Sequence, residues 1–94
     1  DVYKRQDITL EVFNTDTRQA VADRIIELCR ERNMTPNALS YHAAVPQSTI
    51  KSILNNESQN PGIVTIKKLC DGLGISLPDF FDTPVFRGLE QEIK

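Results

Sequence analysis

Two proline-marked helix starts stand ten positions apart in this 94-residue chain, at Thr35-Pro36 and Val45-Pro46. Proline lacks an N–H and its ring collides with the preceding turn, so it opens a helix but does not continue one. Residues 36–43 can therefore form only a short helix, with Leu39 and Ala43 facing inward and Thr35 as N-cap. Ala44 and Val45 leave room for a tight connection. The next helix is expected over 46–55, in the stretch VPQSTIKSILNNE. Ile50, Ile53 and Leu54 give it an apolar back. Gln47, Ser48, Lys51, Ser52 and Asn55 give it a polar front with a single charge. Asn55-Asn56 can end it, because asparagine tolerates the left-handed conformation.

Helical signals flank this pair. Val21, Ile25, Leu28 and Cys29 recur at the spacing of one helical face, which predicts a helix over 16–32. Asp16 and Gln19 have the spacing of a capping box. Arg18, Arg24, Arg30 and Arg32 mix with Asp23, Glu27 and Glu31 on the remaining surface, the pattern of a solvated face. Ile26 lies off the stripe, where it could meet a partner or the C-terminal tail. Downstream, ESQNPG at 57–62 reads as a polar loop. Ile66, Leu69, Cys70 and Leu73 mark a helix over 63–73, closed by Gly74. Ser76 and Asp79 repeat the capping-box spacing ahead of a last short helix bearing Leu77, Phe80 and Phe81. In the tail, DTPVFRGLEQEIK, the residues suited to docking are Phe86, Leu89 and Ile93.

Composition fits one compact, mainly helical domain: 39% hydrophobic, 26% charged and only four glycines. No run of about 18 apolar residues is present, and no basic start precedes an apolar core, so a cytoplasmic location is expected. The formal net charge is −2 and the pI about 5.3. That balance counts against strong non-specific binding to nucleic acid and leaves room for specific binding, which depends on local charge.

Little in the chain suggests chemistry. Cys29 and Cys70 both fall on apolar stripes and read as buried reduced thiols, with a disulfide or metal pair as the remaining alternative. Neither has a second Cys or His at ligand spacing. His42 is the lone histidine and reads as an ordinary polar-face or packing residue. Without a catalytic cluster or a glycine-rich phosphate loop, an enzyme is not expected, and no cofactor or metal is implied. The opening hexamer DVYKRQ resembles a leader found at the front of unrelated translated environmental sequences. DITLEVFNT alternates weakly, as a loose arm or short strand would. The expected division is a leader and arm over 1–13, a domain over 14–82 and a tail over 83–94.

Two short helices joined by a turn of about three residues within five helices is the helix-turn-helix layout. The run over 34–81 resembles the phage repressor and Cro-type helix-turn-helix family, whose domain is lambda repressor-like. Its landmarks follow in order: the Thr35 cap and Leu39, a small residue and then Val45, and Ser48-Thr49-Ile50. Asn60-Pro61, Thr65-Ile66, Leu69, Leu73-Gly74-Ile75-Ser76 and Phe80-Phe81 complete the set.

The resemblance implies an all-α fold of five helices whose third helix lies in the DNA major groove. By position, Gln47, Ser48, Lys51 and Ser52 would face base edges: Gln pairs with adenine, Lys reaches guanine and Ser serves either type. Thr35, Asn37, Asn55, Asn56, Ser58 and Asn60 would meet phosphates. The partner implied is double-stranded DNA, bound by a homodimer acting as a transcriptional regulator, with no small-molecule ligand domain. The alternatives are the antitoxin of a toxin–antitoxin pair, with a toxin or other regulator as protein partner, and an interaction module that has lost DNA binding. The chain departs from the family pattern at Pro36, where relatives often carry Gln, and at Ala44 and Asn56, where they carry Gly. Glu57 and Gln59 stand where relatives carry cations. A carboxylate beside phosphates repels them, so affinity would lean more on dimer geometry.

Overall fold

The computed structural model describes residues 16–55 and 60–93. The weakly alternating segment at 7–15 lies outside them, as do Asn56, Glu57, Ser58 and Gln59. The described secondary structure is entirely helical: α1 (Thr17–Glu31), α2 (Pro36–Ala43), α3 (Gln47–Leu54), α4 (Ile63–Leu73), α5 (Leu77–Phe81) and α6 (Pro84–Arg87). Helices α1 to α5 are the five expected ones. Helix α6 adds a single turn in the tail. Its start, Thr83-Pro84, repeats the Thr35-Pro36 signal, and Thr83 caps it by accepting the Phe86 amide. No helix among the described residues is long and apolar enough to cross a membrane.

The helix starts follow side-chain chemistry. The Asp16 carboxylate accepts the Gln19 amide at 2.8 Å. Thr35 accepts the Ala38 amide at 3.1 Å, and Ser76 that of Asp79 at 3.2 Å. Helix α3 differs. It begins one residue later than expected, with Pro46 as an N-cap that has no side-chain acceptor. There the Pro46 carbonyl takes the amides of Thr49 and Ile50, at 3.0 and 3.2 Å.

Three helix ends share one device. After α1, α2 and α4, residues Asn33, Ala44 and Gly74 turn left-handed, with φ of 51°, 56° and 75°. The next amide then reaches back five residues: Met34 to Cys29, Val45 to Ser40 and Ile75 to Cys70. These are Schellman ends, which satisfy orphan carbonyls and turn a following apolar residue onto the helix just finished. Val45 is buried, and Met34 and Ile75 pack against the core. The sharp connection between α2 and α3 is therefore a backbone motif sealed by Val45.

The core joins Val21, Ile25, Leu28 and Cys29 of α1, Leu39 and Ala43 of α2, Val45, and Ile50 and Ile53 of α3. Ile66, Leu69, Cys70 and Leu73 of α4 and Phe80 of α5 complete it. Leu54, expected inside, is half-buried and packs on the core's edge. Gly72 sets the distance between α2 and α4: a Cβ there would stand 2.9 Å from the Ala43 Cβ and 3.0 Å from its backbone nitrogen. In the tail, Phe86 packs as expected, with its ring centroid 5.0 Å from Phe81. Leu89 is half-buried, whereas Ile93 stays in solvent.

Two arginines do more than solvate α1. Arg24 donates to the carbonyls of Phe80 and Asp79, at 2.7 and 2.8 Å, and ties off the end of α5. Arg32 donates to the Leu73 carbonyl at 2.8 Å and ties off α4. Cationic donors at helix C-termini meet both orphan carbonyls and the negative end of the helix dipole. Charge mixing along a helix cannot separate such residues from a solvated face, because their partners lie 41 to 56 positions away in sequence.

Candidate nucleic-acid interface

Helix α3 is fixed by its back. Ile50 and Ile53 are buried, which turns Gln47, Ser48 and Lys51 into solvent. Helix α2 is fixed by Leu39 and Ala43, which leaves Thr35, Pro36 and Asn37 exposed at its start. The tight turn between the helices brings these two sets together. Pro36, Asn37, Gln47, Ser48, Lys51 and Asn55 line one open cleft of about 600 Å³, with Ile50 and Leu54 as its apolar part.

The cleft is rich in hydrogen-bonding groups and nearly free of charge. Residues 33–55 contain no Asp or Glu, and Lys51 is their only Lys or Arg. The chain's acidic balance therefore lies elsewhere, with residues 79–94 among its sources, while the carboxylates of α1 are matched in number by its arginines. Several of those carboxylates are paired: Glu27 with Arg24 at 2.8 Å and Glu31 with Arg32 at 3.5 Å. A polyanion approaching the cleft meets Gln, Asn and Ser groups and one ammonium, and no opposing carboxylate from this segment.

The other expected site residues lie differently. Thr35 is exposed, with its oxygen engaged as the α2 cap; a hydroxyl that accepts one amide keeps its own O–H to donate. Ser52 is half-buried and lies one turn beyond Ser48, outside the cleft lining. Asn60 is exposed but lines a separate hollow with Asp16, Thr17, Arg18, Pro61 and Glu92. Asn56 and Ser58 lie outside the described residues. Tyr41 and His42, edge-to-face with centroids 5.6 Å apart, are both exposed on α2.

Cys29 and Cys70 are buried and free. Burial pushes both thiols above their ordinary value of 9.0, despite the opposing cations Arg32 beside Cys29 and Lys67 near Cys70. They are packing residues of the core. No group of three or more metal-binding side chains gathers among the described residues.

Sequence reasoning missed the two arginine ties and Gly72. Gly72 had a usable signal: a glycine inside a helical stripe, next to Leu73, often marks a close helix approach.

Known proteins place this geometry. Residues 24–84 match the family model of the Cro/C1-type HTH DNA-binding domain. The solved structure described as "Crystal structure of the prophage Lp1 protein 11" superimposes with a TM-score of 0.70 at 36% identity, covering 77% of this chain and 95% of that one. Among curated proteins there is no match. Matched over more than half its length, and carrying two short helices locked at a sharp turn, the chain belongs to the Cro/C1-type helix-turn-helix family, whose members are DNA-binding regulators rather than enzymes.

Proposed function

We propose that the protein is a sequence-specific transcriptional regulator that lays α3 in the major groove of double-stranded DNA. The observation that carries this reading is the carboxylate-free cleft where Gln47, Ser48 and Lys51 stand beside the start of α2. In this pose Gln47, Ser48, Lys51 and Ser52 read base edges, and Thr35, Asn37 and Asn55 meet the backbone. Ser52 contributes from the side of the helix, one turn along from Ser48. Asn60 meets a phosphate only where the DNA backbone extends beyond the cleft toward its hollow. Asn56 and Ser58 belong to the same expected phosphate set.

A module this small, with one cation in its reading segment, gains affinity by pairing two copies on a pseudo-palindromic site. Its domain spans 14–82, and its working location is the cytoplasm. A gel shift and footprint on the DNA upstream of its own gene, at several salt concentrations, test the reading. Protection that weakens with salt is expected, with a shallow slope because few cations displace counterions. Absence of protection even at low salt contradicts it and leaves the protein-interaction module, which the acidic balance and Glu57 favour.

A further inference from the structure

Gly72 lies in the last turn of α4, and its backbone is helical; the left-handed turn belongs to Gly74, two residues on. A glycine inside a helix is destabilising relative to alanine, and here no backbone angle requires it. What requires it is the neighbour. An added Cβ would stand 2.9 Å from the Ala43 Cβ and 3.0 Å from its Cα and backbone nitrogen, whereas ordinary contact begins at 3.4 Å. Two of those three atoms are backbone, so no side-chain rotation relieves the overlap. The helices themselves would have to separate, by about half an ångström.

The two sides of this contact are not equally free to yield. On the α4 side, Arg32 of α1 holds the Leu73 carbonyl at 2.8 Å. The Ile75 amide closes the helix end on the Cys70 carbonyl at 3.0 Å, and Leu69, Cys70 and Leu73 are buried. On the α2 side, Ala43 is the last helical residue, and Ala44 follows in its left-handed turn. Movement forced at Gly72 therefore falls on α2. Helix α3 packs on α1 as well as on α2, with Ile50 and Ile53 buried, so it does not simply travel with α2. What changes is the cleft between them, with Pro36 and Asn37 on one side and Gln47, Ser48 and Lys51 on the other.

We propose that Gly72 is a positioning residue for DNA binding: by letting α4 approach the end of α2, it sets the spacing between the α2 start and the exposed face of α3. The proposal rests on the reading of that cleft as the DNA-binding surface. Gly72 does not line the cleft; it acts through Ala43. Backbone contacts from α2 and base contacts from α3 must be made together, and a binding constellation tolerates errors of only about half an ångström.

The full chain as Gly72→Ala tests this against Arg24→Ala, whose ties run to α5 and Glu27 and whose loss of stability is comparable. Both are titrated well below their melting temperatures with a duplex spanning the footprinted upstream site. Gly72→Ala should raise Kd roughly tenfold. Arg24→Ala should bind as the wild type does, since lost stability without a shift of α2 leaves the affinity of the folded protein alone. In two-dimensional amide spectra without DNA, Gly72→Ala should shift the signals of Asn37, Gln47, Ser48 and Lys51, and Arg24→Ala should leave them in place. Ala43→Gly removes the side chain that rests against Gly72 and cannot overpack. It should move the same signals, and it serves if Gly72→Ala does not fold.

Wild-type affinity in Gly72→Ala, or a loss matched by Arg24→Ala, overturns the proposal. So do amide changes confined, in either variant, to the neighbourhood of residues 43 and 72. A wild-type protein that binds no DNA removes the DNA reading instead, and the amide spectra then decide whether Gly72 spaces α2 from α3.

Discussion

Single residues set the turns that aim α3, and Ala44 is the most exposed to test. Its φ of 56° is left-handed, where a Cβ costs about 1–2 kcal/mol. Glycine removes that strain and gives back part of it in unfolded-chain entropy. Ala44→Gly should therefore stabilise the fold by about 0.5–1 kcal/mol, read as a higher urea midpoint, and Ala44→Val should lower it. Gly72→Ala should do the opposite for a steric reason. The added Cβ meets the α2 backbone at 3.0 Å, and overpacking of this kind costs about 1–3 kcal/mol. The left-handed turn at 44 was readable, because a Cβ stands where relatives carry glycine. The glycine inside the α4 stripe hinted at a close approach at 72, but its neighbour Ala43 was not readable, because that contact is set by the packing of two helices.

At the scale of elements, the helix starts and the core stripes were open to reading because each depends on residues within one or two turns. Thr35, Asp16 and Ser76 cap as their spacing predicts. The helix ends held from a distance were not. Arg24, with 13% of its side chain exposed, holds two carbonyls at the end of α5. Hydrogen bonds from a charged donor contribute about 1.5–3 kcal/mol. Arg24→Ala should lower stability by about that amount in chemical denaturation. Arg24→Lys should recover little of it, since an ammonium lacks the fork that spans two carbonyls. The extra α6 turn was signalled by Thr83-Pro84, but a one-turn helix has too few residues to show periodicity.

For the whole molecule, the buried thiols report on cooperativity. Cys29 and Cys70 should react with a thiol reagent only as fast as the fold opens, and both at the global rate, because they share one core. Burial raises their pKa values above 9.0. The unfolded chain therefore loses these protons first as pH rises. Their contribution to stability is intact below pH 9 and is lost as pH climbs through the folded-state values. The urea midpoint should fall as pH rises above about 9, and by less in Cys29→Ala/Cys70→Ala. The proposed base reading by Gln47, Ser48, Lys51 and Ser52 of α3 belongs to the whole molecule. Its most direct test is selection of bound duplexes from a random pool by the wild-type protein and by Ser48→Ala/Ser52→Ala. A two-fold-related motif is expected for the wild type, and for the variant continued binding with preference relaxed at the positions those serines face. An identical motif at identical enrichment from both proteins would contradict it.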